Sequence, residues 1–150
     1  MINLPFSGRS NHGCASLYFD NTLVILVAGG FVEHVYKIPG YDWERIDNYG
    51  TDLVEVLNFN IYDQGWRYGV NLPRKMFGFS MLTSPNGRNI IVIGGYDHDK
   101  HESLNSLLTL NCFDQNEQDC KWIEMEAKLQ TPNTQFIAFW VPENIDVSCQ

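Results

Sequence analysis

The sequence predicts an all-β fold that contains two repeated units and the beginning of a third. The apolar segments are short, rich in Val, Ile, Leu, Phe and Tyr, and interrupted at close intervals by Gly, Asn, Asp or Pro. Such short apolar runs between turn residues are typical of β-strands. No stretch sustains a helical period, and two Gly-Gly pairs each close an apolar run.

The composition indicates a globular protein with an acidic surface. Hydrophobic residues make up 44% of the chain and charged residues only 19%, which allows a core that offsets the loss of chain entropy. Ten basic residues stand against eighteen acidic ones, for a net charge of -8, and the basic residues form no stripe along the sequence. Nucleic acids and anionic membranes are therefore not expected as partners.

Nine strands are predicted from the apolar runs. The charged run Trp122 to Leu129 comes nearest to a helical pattern, but polar residues interrupt every face and Thr131-Pro132 follows it. The predicted strands are Cys14 to Phe19, Thr22 to Ala28, Leu53 to Asn60, Gly65 to Tyr68, Phe77 to Thr83, Ile90 to Ile93, Leu104 to Asn111, Lys121 to Met125 and Gln135 to Val141.

Two Gly-Gly pairs mark an internal repeat. Gly29-Gly30 and Gly94-Gly95 lie sixty-five residues apart, and each follows a run of aliphatic residues. Each pair is followed by a further apolar strand and then by a tryptophan, Trp66 in the first case and Trp122 in the second. A fixed period of this kind is the signature of a repeat architecture.

The residues upstream of the two Gly pairs also match in spacing. Arg9 and Arg74 each precede their pair by twenty residues. His12-Gly13 and Phe77-Gly78 each precede it by seventeen residues. We therefore predict that Arg9 and Arg74 occupy equivalent positions in the two units.

These features resemble the kelch repeat, in which an Arg-containing loop leads into an inner strand, a second strand ends in Gly-Gly, and a fourth strand bears Trp. The resemblance implies a partial kelch-type β-propeller with two four-stranded antiparallel blades and part of a third. Glycine suits positive φ where strands converge, and Trp fills space between blades. The resemblance assigns structural roles to Gly29, Gly30, Gly94, Gly95, Trp66 and Trp122.

The resemblance divides the chain into four parts. Residues 1–8 are a tail or the end of a preceding unit, residues 9–73 form repeat 1 with a long insertion at 31–52, residues 74–130 form repeat 2, and residues 131–150 begin repeat 3. Two blades leave apolar faces uncovered, so we expect a larger propeller or self-association through incomplete blade edges.

The resemblance implies a protein–protein interaction module, such as the substrate-recruiting part of a larger adaptor, and not an enzyme. The alternative is a secreted or enzymatic propeller fragment similar to galactose oxidase. No cofactor is expected. The polar run Asp97-His98-Asp99, with His101 and Glu102, is interpreted as a solvated loop, because metal sites usually recruit ligands from more than one element.

The expected binding face is the end where the loops that lead into the inner strands and the loops after Gly-Gly emerge together. Arg, Tyr and Trp often anchor interfaces, and basic loops on an acidic protein favour an acidic peptide as the ligand. The predicted contact residues are Arg9, His12, Tyr36, Tyr41, Trp43, Arg74, Lys75 and His98. In the alternative interpretation, Arg9 and Arg74 brace the blades through backbone carbonyls, and the aromatics of the insertion cover an exposed blade.

Cysteine usage leaves the compartment open between two alternatives. Cys112 and Cys120 flank a turn-like segment and would face each other across a hairpin, either as a disulfide in an oxidising compartment or as free thiols in the cytosol. The first thirty residues carry Arg9, His12 and Asp20 where a signal peptide needs an apolar stretch. We expect a cytoplasmic protein, with secretion as the alternative.

Overall fold

The computed structural model describes residues 8–19, 22–37, 39–40, 44–58, 65–112 and 120–141. These residues form an all-β structure, and no helix among them is long and apolar enough to cross a membrane. The strands are β1 (Arg9–Ser10), β2 (Gly13–Phe19), β3 (Thr22–Ala28), β4 (Phe31–Lys37), β5 (Glu44–Gly50), β6 (Val54–Asn58), β7 (Trp66–Tyr68), β8 (Met76–Phe77), β9 (Ser80–Thr83), β10 (Ile90–Ile93), β11 (Tyr96–Asp97), β12 (Glu102–Ser103), β13 (Ser106–Cys112) and β14 (Cys120–Lys128).

Two four-stranded antiparallel sheets form the framework. Blade 1 has the order β2-β3-β6-β7, and blade 2 has the order β9-β10-β13-β14, so that strands adjacent in each sheet follow one another along the chain. The first strands of the two blades, β2 and β9, contact each other. This is the arrangement of neighbouring β-propeller blades, and it confirms the predicted fold class.

The strand register shows that the two blades are equivalent. Trp66 on β7 pairs with Leu57, and Trp122 on β14 pairs with Leu110 at the matching place. The Gly pairs follow the second strands, with φ of 58° and 97° in the first pair and of 59° and 101° in the second. The predicted positions of both pairs and both tryptophans are therefore confirmed.

The second Gly of each pair links its unit to the next one along the chain. Gly30 N–H donates to Met76 O at 2.9 Å, and Gly95 N–H donates to Asn133 O at 2.8 Å. Met76 lies in the segment that leads into β9, and Asn133 lies at the same place in the third unit. The third unit therefore contacts blade 2 through the same backbone bond by which blade 2 contacts blade 1.

The prediction that Arg9 and Arg74 are equivalent is wrong. Gly13 pairs with Ala28 at the end of blade 1's first hairpin, and Ser80 pairs with Ile93 in blade 2. Sixteen residues separate Gly13 from its Gly pair, but only fourteen separate Ser80 from its own, because the second hairpin is shorter. The equivalent of Arg9 is therefore Met76.

Two predicted segments also differ from the structure. The insertion at 31–52 contains the hairpin β4–β5, which was not predicted. The predicted strand 135–141 forms no ladder in the described residues, although it lies against blade 2, where Ala138 N–H donates to Ser80 Oγ at 2.9 Å. A first strand is defined by its pairing with the second strand of its own blade, and no such partner is described for this segment.

The core lies between the two blades and includes one buried ion pair. Its apolar members include Leu17, Val24, Leu26, Val54, Met76, Phe79, Ile90, Val92, Leu108 and Leu110. The Arg9 guanidinium contacts the Glu55 carboxylate, and both side chains are almost fully buried, at 1% and 0% exposure. Arg9 also donates to Gly29 O at 3.3 Å and Leu53 O at 3.2 Å. Desolvation lowers the pKa of Arg9, and the charge of Glu55 opposes that change.

The second unit fills the same two positions with apolar side chains. Met76 takes the place of Arg9, and Leu108 takes the place of Glu55, since Val27 pairs with Glu55 as Val92 pairs with Leu108. Both Met76 and Leu108 are buried. The fold therefore accepts either an ion pair or an apolar pair at this site.

We expect Arg9→Met and Glu55→Leu to destabilise the protein singly and to compensate each other. Each single variant leaves one buried charge without its partner, which costs about 3–5 kcal/mol, whereas apolar replacement of both partners is close to neutral. Urea unfolding followed by Trp fluorescence measures the difference. The matched control is the exposed pair Lys100–Glu102, where Lys100→Met and Glu102→Leu should each change stability by less than about 1 kcal/mol. A double variant as unstable as the single ones would contradict the equivalence.

Candidate functional site

A second layer of short sheets covers one end of the two blades. Here β1 pairs with β4, and β8 pairs with β11, so that the segment leading into each blade meets the segment that leaves its Gly pair. We call this end the loop face, formed by residues 9–12, 31–37, 44–50, 75–78 and 96–103. The convergence of these loops at one end agrees with the expected geometry.

An aromatic cluster joins the two units at the loop face. The ring centroids of Phe31 and Phe77 are 3.8 Å apart, and those of Phe77 and Tyr96 are 5.1 Å apart. The ring of His98 meets that of Phe31 edge-on at 6.5 Å, while His98 N–H donates to Lys75 O at 2.9 Å. These contacts fix the base of β4 against blade 2.

The polar run 97–102 is organised by one buried carboxylate. Asp97 Oδ1 accepts hydrogen bonds from the backbone N–H groups of Asp99 and Lys100, both at 3.0 Å. Asp97 is therefore a turn-forming residue. No group of three His, Cys, Asp or Glu side chains in the described part of the chain is placed to hold a metal ion.

The hairpin β4–β5 forms a ribbon that is exposed on both faces. Successive residues of a strand point to opposite sides, yet Glu33, His34 and Val35 are all exposed. Asn48 and Tyr49 on the paired strand are also exposed, and Tyr49 Oη donates to Asp47 Oδ2 at 3.3 Å. Among the ribbon residues whose side chains the structure describes, Gly50 is buried, Phe31, Val32 and Asp47 are half-buried, and the others are exposed.

The structure distributes the predicted contact residues among different environments. Arg9 is buried and bonds backbone carbonyls, as the architectural alternative states, so its prediction as a contact residue is wrong. Arg74 pairs with Glu124 on the outer strand at 2.8 Å. Lys75 pairs with Asp99 at 3.4 Å, next to His98.

The remaining predicted contact residues belong to the ribbon and the lead-in segment. Tyr36 lies in β4. Tyr41 and Trp43 lie outside the described residues. His12 is exposed, and its Nδ1 donates to Arg9 O at 3.1 Å, because a carbonyl oxygen can only accept.

An open pocket of about 290 Å³ lies beside His12. The sequence does not predict this pocket, because its lining comes from equivalent positions of three units whose register no local pattern reveals. Phe79 and Phe136 form a matching pair of aromatic residues in two of those units. The lining residues are Asn11, His12, Gly78, Phe79, Gln135, Phe136 and Ile137.

The three cysteines in the described part of the chain take two different states. Cys112 and Cys120, which are opposite each other on β13 and β14, form a disulfide. Cys14 is an exposed free thiol on β2, and partial desolvation of its sulfur raises its pKa. Since the thiolate is the nucleophilic form, Cys14 is a weak nucleophile at neutral pH.

We expect Gly50→Ala to destabilise the base of the ribbon. A Cβ at Gly50 would lie 2.5 Å from His98 Cβ, and His98 is held by its backbone bond to Lys75. Overpacking of this kind lowers the free energy of unfolding by about 1–3 kcal/mol. Urea unfolding measures this change. Gly8→Ala is the control, since nothing lies within 4 Å of a Cβ at Gly8. Equal stability of the two variants would show that His98 does not pack on Gly50.

No protein-family model matches the chain, and no curated protein matches it either. The kelch resemblance therefore remains an interpretation of the sequence.

Proposed function

We propose that this chain is a protein-interaction module of kelch type, which binds a partner protein through the β4–β5 ribbon and the adjoining loop face. The supporting observation is the ribbon's exposure on both faces above a base fixed by aromatic contacts. Long insertions in a compact fold are more often functional than idle. The proposal assigns no catalytic role to the chain.

The ribbon has the physical properties of a contact element. A two-stranded hairpin without a covered face is marginally stable in water, so a partner that covers one face would stabilise it. Val35 and Tyr49 are each 49% exposed, and they offer apolar and aromatic contact area. Tyrosine in particular is enriched among the residues that dominate binding energy.

The charges of the loop face change the expected class of ligand. Lys75 and Lys100 on the loop face, and Arg74 next to it, each pair with a neighbouring carboxylate, and Arg9 is paired and buried. Their positive charge is therefore largely neutralised by this protein's own acids. With a net charge of -8 on the chain, complementarity favours a partner whose contact surface is neutral or basic over an acidic peptide.

Shortening the ribbon tests the proposal without disturbing the blades. Val32 and Tyr49 are directly opposite in register, so residues 33–48 can be replaced by a two-residue Asn-Gly turn. The anchoring bond from Thr51 N–H to Gly30 O, at 3.0 Å, is retained. We expect the blades to unfold cooperatively in urea as they do in the wild-type chain, and we expect loss of the proteins that the wild-type chain recovers from a cell lysate.

The control for this experiment is Arg88→Ala, which alters an exposed side chain in the turn between β9 and β10. It should recover the same proteins as the wild-type chain. Equal recovery by the wild-type chain and a correctly folded short-ribbon variant would show that the ribbon is not the binding element.

A further inference from the structure

A ladder of hydrogen bonds runs through equivalent residues of the three units. Gly78 N–H donates to Asn11 O at 2.9 Å, and Gln135 N–H donates to Gly78 O at 2.6 Å. All three residues have positive φ, of 54°, 64° and 58° in chain order. Each unit therefore joins the previous one by the same bond, in the same direction.

A second set of contacts repeats in the same direction along the first strands. The Thr83 hydroxyl donates to Ser16 O, and the Trp140 indole Nε1–H donates to Thr83 O at 2.6 Å. Ser16, Thr83 and Trp140 occupy equivalent positions, each seven residues after Arg9, Met76 and Asn133 respectively. One side chain of each unit thus binds a backbone carbonyl of the unit before it.

The contacts between successive units leave two complementary surfaces uncovered, one on the 135–141 segment and one on β2. In the 135–141 segment, Phe136 and Ala138 face blade 2, whereas Ile137 and Phe139 are 87% and 74% exposed. On β2, at the other side of the molecule, Tyr18 is 63% exposed. Cys14 and Ser16, which share the face of Tyr18, are exposed as well.

We propose that a second copy of this chain docks head to tail, so that the Cys14, Ser16 and Tyr18 face of β2 in one copy covers the Ile137 and Phe139 face of the other. This contact would continue the interface already present between β2 and β9 and between β9 and the 135–141 segment. In β9, the residues that meet blade 1 include Met81 and Thr83, the equivalents of Cys14 and Ser16.

The repeated bonds specify the pairing across the contact between copies. Asn11 N–H of one copy would donate to Gln135 O of the other, and the Ser16 hydroxyl would donate to Trp140 O. The two surfaces differ from each other, so the contact is heterologous, and such contacts generate closed rings or open chains. Each copy supplies two four-stranded blades and the 135–141 segment beside blade 2, so the contact would place blade 1 of one copy next to that segment of the other.

Sedimentation velocity with two surface variants tests the arrangement. We expect the wild-type chain to associate as concentration rises, and Tyr18→Lys and Ile137→Lys each to sediment as monomers. An equimolar mixture of the two variants should form a dimer, because each retains the surface that the other has lost. Ile123→Lys, which changes a partly exposed residue on the outer strand β14, is the control and should associate like the wild type.

Several outcomes would overturn the proposal. These are a wild-type chain that remains monomeric at high micromolar concentration, variants that associate like the wild type, or a mixture that remains monomeric. In the first case the two surfaces would belong to contacts with another protein. Circular dichroism checks the fold of each variant, and Phe139→Lys repeats the test at a second exposed position.

The Cys14 thiol provides an independent readout. Association covers β2, so alkylation of Cys14, followed by peptide mass spectrometry, should slow as the wild-type concentration rises. The rate should not depend on concentration in Ile137→Lys. A concentration-dependent rate in that variant would contradict the proposed surface.

Discussion

The bond between each Gly-Gly pair and the segment leading into the next unit is the constraint on which the rest of the structure depends. A Cβ at Gly29 would lie 2.5 Å from Met76 O, and a Cβ at Gly94 would lie 2.7 Å from Asn133 O. Positive φ and this close approach together require glycine. The bond fixes the distance between neighbouring blades and the place where the loop face begins. It therefore positions the second layer of sheets, the ribbon and the first residues of the third unit.

The Arg9–Glu55 and Met76–Leu108 pairs show that one framework position accepts two kinds of chemistry. An ion pair is stable here because Arg9 also satisfies two backbone carbonyls, and an apolar pair is stable because it needs no such bonds. The lead-in residues closest to the blades therefore serve the architecture. Residues available for recognition lie further out, on the ribbon and on the loop 98–103.

Much of the framework could be predicted because its signals are local. The aliphatic runs before the Gly pairs predict β3 and β10, and the Gly pairs themselves require positive φ. The register of Arg9 could not be predicted, since it depends on the length of a hairpin whose turn has no fixed sequence pattern. Because the second hairpin is two residues shorter than the first, Arg74 lies two residues before Met76, which is the true equivalent of Arg9. The equal spacing of Arg9 and Arg74 from their Gly pairs is therefore a coincidence.

The ribbon and the binding residues were harder to predict for a related reason. A strand exposed on both faces lacks the alternation of apolar and polar residues by which strands are recognised, so β4 and β5 resemble a loop in the sequence. The burial of Arg9 depends on Glu55, forty-six residues away, and no local pattern connects them. The pocket beside His12 likewise depends on three segments that only the repeat geometry brings together.

Each Gly pair is bonded to the next unit in the same way, and scalar couplings across hydrogen bonds test these bonds. In a uniformly labelled sample, we expect a coupling between Gly30 N and the Met76 carbonyl carbon, and another between Gly95 N and the Asn133 carbonyl carbon. Both amides should also exchange slowly with solvent. A Gly95 amide that exchanges rapidly and shows no coupling to Asn133, while Gly30 is coupled to Met76, would show that the two junctions are not bonded alike.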